Sequence, residues 1–460
     1  MRAEDWLKVG GAGPAEGLCT ADTRNMASQS AQWMRSARVL RRSGFGAAGP
    51  EIDAVSDPAA YLRAALAADP EADPGARATP MPQFSFVAAP DRKATADQRH
   101  RYNTEITAQL NELTVWWLRR MAAVQVPVRE KLTLLWHNHF ATSAVKVRSA
   151  AEMAGQNRTL RAMGVGDFST LAYAMLTDPA MLRWLDGQTN TAKAPNENLS
   201  REFMELFALG HGNGYTETDV RQGARALTGW TIKNGAAAFD PKRHDAGTKT
   251  LLGVTGPLGV REFCDAVLSR PESARYVAGR MWQQLASDDP PSQAALERIT
   301  TAYGPGRDLG AMITAILTDP EFVGARDTVA HAPVEWLIGA VRALRVPLSS
   351  DTEAHRVMGV LRTLGQLPFY PPNVGGWSSG QAWMSTAAAQ IRLTAITALL
   401  KGADLSPISS ASSNDRVDAA GHLLGVGAWS DRSAKVLRTA VGNPARLAAI
   451  AVNTPEYLTS

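Results

Sequence analysis

Only two cysteines occur in 460 residues, Cys19 and Cys264, far apart and in dissimilar surroundings. That excludes a disulfide framework and a cysteine-based zinc site. Long apolar runs are missing too, because charge interrupts every candidate stretch before the ~18 residues that a bilayer span requires. Charge of one sign does not accumulate. Lys and Arg number 48 against 44 Asp and Glu, a net +4, and no basic run interleaved with aromatics is present to track a phosphate backbone. Nucleic acid is therefore not an expected partner. Residues 1–20 carry Glu4, Asp5 and Lys8 with several glycines and no apolar core. No secretory signal peptide is visible, and the residues alone point to the cytoplasm. Arg41-Arg42 precedes Ser43-Gly44-Phe45, but residues 46–57 contain Gly, Pro and Asp rather than an apolar run, which argues against twin-arginine export.

What the chain has is apolar bulk with a helical period. Hydrophobic residues make up 45%, enough for a sizeable core. Amphipathic runs recur at residues 59–68, 102–123, 128–140, 168–176, 199–209, 219–228, 260–268, 274–285, 309–317, 333–344 and 392–400. Alternating β patterns are scarce. The expected fold is mainly α: a multi-helix single body with long irregular loops and little or no sheet. A polar extension (1–36) precedes a helical domain (37–460). Breaks at 69–83, 235–256, 287–292, 368–380 and 406–414 read as loops within one body. Four segments, at Asp57-Pro58, Asp178-Pro179, Asp319-Pro320 and Thr454-Pro455, repeat a turn in which an Asp or Thr caps and a Pro opens the next helix.

The stretch from Asn196 to Lys249 is the richest in chemistry. Leu199, Phe203, Leu206, Phe207 and Leu209 form an apolar stripe at ~100° per residue, and Glu202 falls inside it. An inward carboxylate needs a cation, a hydrogen bond or a proton to offset its desolvation. Glu205, three residues on, gives a second carboxylate for the same cavity, as acid/base work or metal binding requires. Glu197, Arg201 and Glu205 stand four apart, the spacing of surface ion pairs. Thr216 and Asp219 form a capping box after the Gly210-His211-Gly212-Asn213-Gly214 turn, whose histidine is expected to be exposed. Arg225 lies on the following helix, positioned to pair with the glutamates or an anionic group. His244-Asp245 sits in a loop and can serve as a ligand pair or as a base with its orienting acid. Upstream, His139 shares the face of Leu132, Leu135 and Trp136, while His137 is about 200° away. The late loop, 366–383, holds Phe369, Tyr370, Trp377 and Trp383. Trp377 is either a sugar-stacking residue or a rigid plug, and the paired prolines favour the plug.

Taken in order, Leu40-Arg41-Arg42-Ser43-Gly44-Phe45-Gly46, Trp136-His137-Asn138-His139-Phe140, Asn196-Glu197-Asn198 with Arg201-Glu202 and Glu205-Leu206, Tyr215-Thr216-Glu217 with Asp219-Val220, Ala226 to Trp230, His244-Asp245 with Gly247 and Lys249, and Pro371-Pro372-Asn373-Val374 with Gly376-Trp377 resemble the bacterial family catalogued as domain of unknown function 1800. The resemblance spans residue 37 to the C-terminus. It implies a largely helical protein, frequent export to the periplasm or beyond, and a neighbouring phosphatase- or sulfatase-like partner protein. It implies no established activity.

Three readings compete. In the first, a hydrolase or lyase acts on a glycan or other polar polymer, with Glu202, Glu205, His244 and Asp245 as catalytic groups and Arg201, Arg225 and Trp377 holding substrate. In the second, His139, Glu202, Glu205 and His244 supply N and O ligands to a divalent metal ion. In the third, the polar cluster is a buried network in a non-catalytic assembly partner. The first two require Glu202, Glu205, Arg225, His139 and His244 to share one cleft.

Overall fold

The computed structural model describes residues 29–324 and 329–459. Cys19 and most of the expected polar extension lie outside them. The first described helix, Ala31–Ser43, begins inside the span assigned to that extension, with Ser30 capping it through the Trp33 N–H.

Helices dominate because their starts are written locally. Asp57, Asp73, Asp167 and Asp178 accept N–H groups of the helices they precede. Thr95 with Gln98 and Thr216 with Asp219 close reciprocal capping boxes. Each such cap satisfies donors that a helix terminus otherwise leaves orphaned. Of the four echoed turns, Asp57 and Asp178 cap as expected and Asp319 accepts the Glu321 N–H at 2.8 Å. Thr454 does not cap through its side chain.

Two large apolar clusters organise these helices. One gathers Ala96–Ala123, Pro333–Ala343, Asp351–Thr363 and the C-terminal helices around Trp117, Trp336 and Leu361. The other gathers Phe168–Leu176, Pro271–Leu285 and Leu309–Thr318 around Phe140, Trp282 and Ile313. The helix Val128–His139 lies between them, giving Leu134 to the first and Leu132, Leu135 and Trp136 to the second. It is buried on nearly every side, so its charged residues need internal partners. Glu130 receives Arg120 and Arg161, and Lys131 donates to Glu335.

The pair Arg41-Arg42 is structural. Arg41 donates to the carbonyls of Glu456, Tyr457 and Thr459, and buried Arg42 to those of Leu285 and Gln284. The first helix is thereby stitched to the C-terminal segment and to the Pro271–Leu285 helix.

Among the described residues, sheet is confined to two antiparallel hairpins, Trp230–Lys233 with Ala236–Phe239 and Lys249–Leu251 with Val254–Gly256. The second falls wholly within the loop expected over 235–256, and the first only with its Ala236–Phe239 strand. Each turns on two residues with positive φ, Asn234-Gly235 and Leu252-Gly253, the backbone a two-residue hairpin needs. No helix among the described residues is long and apolar enough to cross a membrane.

Candidate functional site

The helix expected over residues 199–209 is α-helical only at Asn198–Glu202. It continues as a π-helix, Phe203–Ala208, in which the Leu209 N–H reaches back five residues to the Met204 carbonyl at 2.9 Å. Such widened turns are uncommon and concentrate at functional sites. Glu205 sits within the widened turn and Glu202 at its start. Phe203, Met204 and Phe207 go into the core, while both glutamates are half-buried at its edge. Glu202 is thus not the inward carboxylate that a regular α-wheel predicts.

The two carboxylates have unequal surroundings. Glu202 makes no hydrogen bond among the described residues, and its pKa is raised by burial and by the Glu205 charge against the opposing pull of Arg201. Glu205 contacts His211 Nδ1 at 2.5 Å. His211 is 85% exposed, as its place in a glycine-rich turn suggested, but its ring is directed at Glu205. Tyr276 stands beside this pair, donating its hydroxyl to the Leu206 carbonyl at 2.8 Å and lying within range of the Glu205 charge. Its ring packs so closely on Gly210, where φ is +90°, that a Cβ there would sit 2.7 Å from it.

Arg201 is committed elsewhere, donating to Glu197 at 2.9 Å and to both carboxylate oxygens of Glu217 at 2.7 Å. These exposed ion pairs match the surface reading of its spacing and leave it poorly placed to hold substrate.

A second cluster forms around Thr228. The His244 Nδ1 lies 2.9 Å from the Thr228 carbonyl, which can only accept, so Nδ1 carries a proton and Nε2 is the ring nitrogen left open. Asp245 takes Arg225 Nε at 2.7 Å and Nη2 at 3.3 Å, and this pairing holds its pKa below the usual carboxylate range. The Asp245 N–H donates to Thr228 Oγ1 at 2.8 Å. Buried Lys249 donates to the Asp245 and Gly247 carbonyls. Arg225 and Lys249 therefore fold the 240–249 loop onto the Glu217–Ala226 helix, with His244 half-buried on top. The sequence-predicted residues are gathered into two groups, Glu202 with Glu205 and Arg225 with His244-Asp245, and no hydrogen bond or ion pair among the described residues joins them.

His139 belongs to neither. It is 2% exposed, bonded through Nε2 to the Phe207 carbonyl at 2.9 Å, and ringed by Trp136, Phe140, Phe168 and Phe207. Burial pushes its pKa down to about 3. It is a neutral core histidine, and the ligand set His139, Glu202 and His244 is not assembled. Among the described residues no group of three or more His, Cys, Asp or Glu side chains is arranged to hold a metal ion. His137 is likewise internal, accepting the Phe369 N–H at 3.0 Å.

Trp377 is 5% exposed, edge-on to His137 at 5.5 Å between centroids. Its backbone N–H donates to Asn138 Oδ1 at 2.7 Å. Such burial does not suit a sugar-stacking face.

A third constellation was not read from the sequence. Arg42, Lys131 and Glu335 meet at a narrow cavity of about 60 Å³, bordered also by Asn138, Gln284 and the 378–383 loop. Arg42 and Asn138 lie in stretches singled out by motif, but Lys131 and Glu335 sit on helices whose charges look like ordinary surface residues. Only the proximity of distant segments reveals them.

The sequence profile of the family described as "Protein of unknown function (DUF1800)" matches residues 38–459. The chain belongs to that family. No curated protein and no solved structure matches it.

Proposed function

We propose that the chain is an acid/base hydrolase or lyase acting on a glycan or other polar polymer, with Glu202 as proton donor and Glu205, oriented by His211, as base. The observation that carries this reading is the carboxylate pair on the Phe203–Ala208 π-helix, two acids whose environments differ. Sites that divide acid and base duties between two carboxyl groups do so by placing them in unlike surroundings. Glu202 has no hydrogen-bonded cation to keep it ionised, and burial together with its neighbour's charge favours its protonated form. That is the state a proton donor to a leaving oxygen needs. The Glu205 contact to His211 fixes an accepting carboxylate beside it. Arg201 and Arg225 act in this reading as scaffold for the site, since carboxylates already occupy them.

The test is turnover of polysaccharides by the purified chain, followed by new reducing ends for hydrolysis and by ultraviolet absorbance of an unsaturated product for elimination. Glu202→Gln and Glu205→Gln are each expected to lower the rate by roughly 100-fold or more. Full turnover in both variants, or none in the unaltered chain, removes the proposal.

A further inference from the structure

The helix Pro271–Leu285 links the carboxylate pair to the cavity at Arg42. Tyr276, beside Glu205, starts a half-exposed stripe that continues through Arg280, Gln283 and Gln284. At 1.5 Å per residue, Tyr276 and Gln284 lie about 12 Å apart along the axis. Arg280 Nη1 donates to Gln283 Oε1 at 2.9 Å, and Gln284 Oε1 accepts from Asn138 Nδ2 at 3.1 Å.

Two buried polar atoms on this stripe, Arg280 Nε and Gln284 Nε2, and a third just past the helix end, Asp288 Oδ1, make no hydrogen bond among the described residues. Buried polar groups are nearly always paired, so a run of unpaired ones beside a cavity marks a surface complementary to something else. Gln284 lines the cavity itself, and Asp288 packs behind Gly380 of the same wall.

The cavity defines the class of group that fits. Arg42 and Lys131 share the one carboxylate of Glu335, so the wall keeps an excess of donors suited to an accepting oxygen. A volume of about 60 Å³ admits a group about the size of four or five waters. The open functions are an amide N–H of Gln284, the hydroxyl of Ser379 and the unspent hydrogens of the Lys131 ammonium. The apolar part of the lining is formed by Leu134, Leu135, Val329 and Ala332. Trp383 stands half-buried at the rim, its indole N–H on the Ser378 carbonyl at 3.0 Å. A hydroxymethyl group would satisfy the polar side and leave the apolar side against water. An acetamido group satisfies both, with its carbonyl toward Gln284 and Lys131 and its methyl against the leucines. An aromatic rim is suited to the attached sugar ring.

We propose that this cavity is a subsite for the acetamido group of an N-acetylated amino sugar, and that the stripe along Pro271–Leu285 carries the adjoining sugar toward Glu202 and Glu205. The glycan part of this inference rests on the function proposed above. Binding and turnover are tested separately.

Tetra-N-acetylchitotetraose, called chitotetraose from here on, and cellotetraose differ at each ring only in acetamido against hydroxyl. Titration of the full chain with each, read by tryptophan fluorescence and calorimetry, is expected to give at least 10-fold tighter binding of chitotetraose. Gln284→Leu is expected to weaken chitotetraose by 10-fold or more. Ser379→Trp, on the exposed rim, is expected to block it while keeping the melting temperature. Glu202→Gln should bind chitotetraose undiminished. Equal affinity for the two sugars, binding of neither, or chitotetraose affinity unchanged in both cavity variants overturns the subsite. Tight chitotetraose binding without cleavage would uphold the subsite and remove the hydrolase reading. Glu202-dependent cleavage of another polymer with no acetamido preference would do the reverse.

Discussion

Asn138 accepts the backbone N–H of Trp377 at 2.7 Å across a sequence separation of 239 residues. Its amide donates in the other direction to Gln284. One polar side chain therefore holds the aromatic loop, the Val128–His139 helix and the Pro271–Leu285 helix in register. Gly376 fits beside it because any Cβ there would come within 2.3 Å of Asn138 Oδ1, and its φ of +84° favours glycine independently.

Trp377→Ala should accordingly behave as a core truncation. We expect a loss of roughly 3 to 5 kcal/mol in stability from the lost apolar burial and the space left behind, measured by urea unfolding, with no change in sugar-induced fluorescence beyond the missing indole signal. A neutral effect on stability together with lost sugar binding would instead make Trp377 a binding residue.

Glu202→Gln is expected to leave the melting temperature unchanged or raise it. The native carboxylate has no hydrogen-bond partner to lose among the described residues, and the substitution removes its repulsion with Glu205. A drop equivalent to about 3 kcal/mol would show that Glu202 is a structural contact and count against its role as acid.

Glu130→Gln should do the opposite. Glu130 is buried between Arg120 and Arg161, also accepts the Trp117 indole N–H, and its pKa is held down at about 2 against the opposing effect of its burial. Because the folded value lies below the unfolded one, this stabilisation is complete above pH ~4.5 and disappears as the pH falls toward 2. We expect Glu130→Gln to cost about 3 to 5 kcal/mol at pH 7, since two arginines lose their shared counter-charge. The difference between variant and parent should shrink in acid. A pH-independent difference would refute the assignment.

Asp178 has the reverse sign. It caps the Pro179–Trp184 helix and accepts from Gln156, yet full burial raises its pKa to about 7. Between pH ~4 and ~7 the folded chain keeps a proton that the unfolded chain has released, so stability falls as pH rises through that window. Asp178→Asn keeps the accepting oxygen and removes the titration. The variant is expected to match the parent below pH ~4, where folded and unfolded chains both keep the proton, and to exceed it by a few kcal/mol at pH 8, as followed by thermal unfolding across pH.

The helical body was legible because its signals are local. Apolar residues recurring every 3.6 positions and Asp or Thr before Pro give helices and their starts without reference to the rest of the chain. The first hairpin carried an equally local sign, Asn234-Gly235, which the Gly-rich character of the segment masked, whereas Leu252-Gly253 carries none, since leucine rarely adopts positive φ. Long-range pairing left no such trace. Lys131 and Glu335 are 204 residues apart, and each looks like a solvated charge on its own helix. Glu202 was misplaced for a different reason. A wheel drawn at 100° per residue assumes α-winding, and nothing in the composition of Phe203–Ala208 announces hydrogen bonds that skip to the fifth residue.

That winding makes the site depend on chain length. The widened turn holds one residue more than an α-turn spanning the same rise, so deleting a single residue between Phe203 and Ala208 would return the helix to regular winding. A π-turn advances roughly 80° per residue against about 100° in an α-helix, so five α residues would turn through about the same angle as the six they replace. The core residues on either side would keep their faces, and what would go is the bulge that carries Glu205 beside His211. The widened turn acts as a one-residue insertion that the fold absorbs locally, and shortening the segment by one residue should spare the core while dismantling the carboxylate pair.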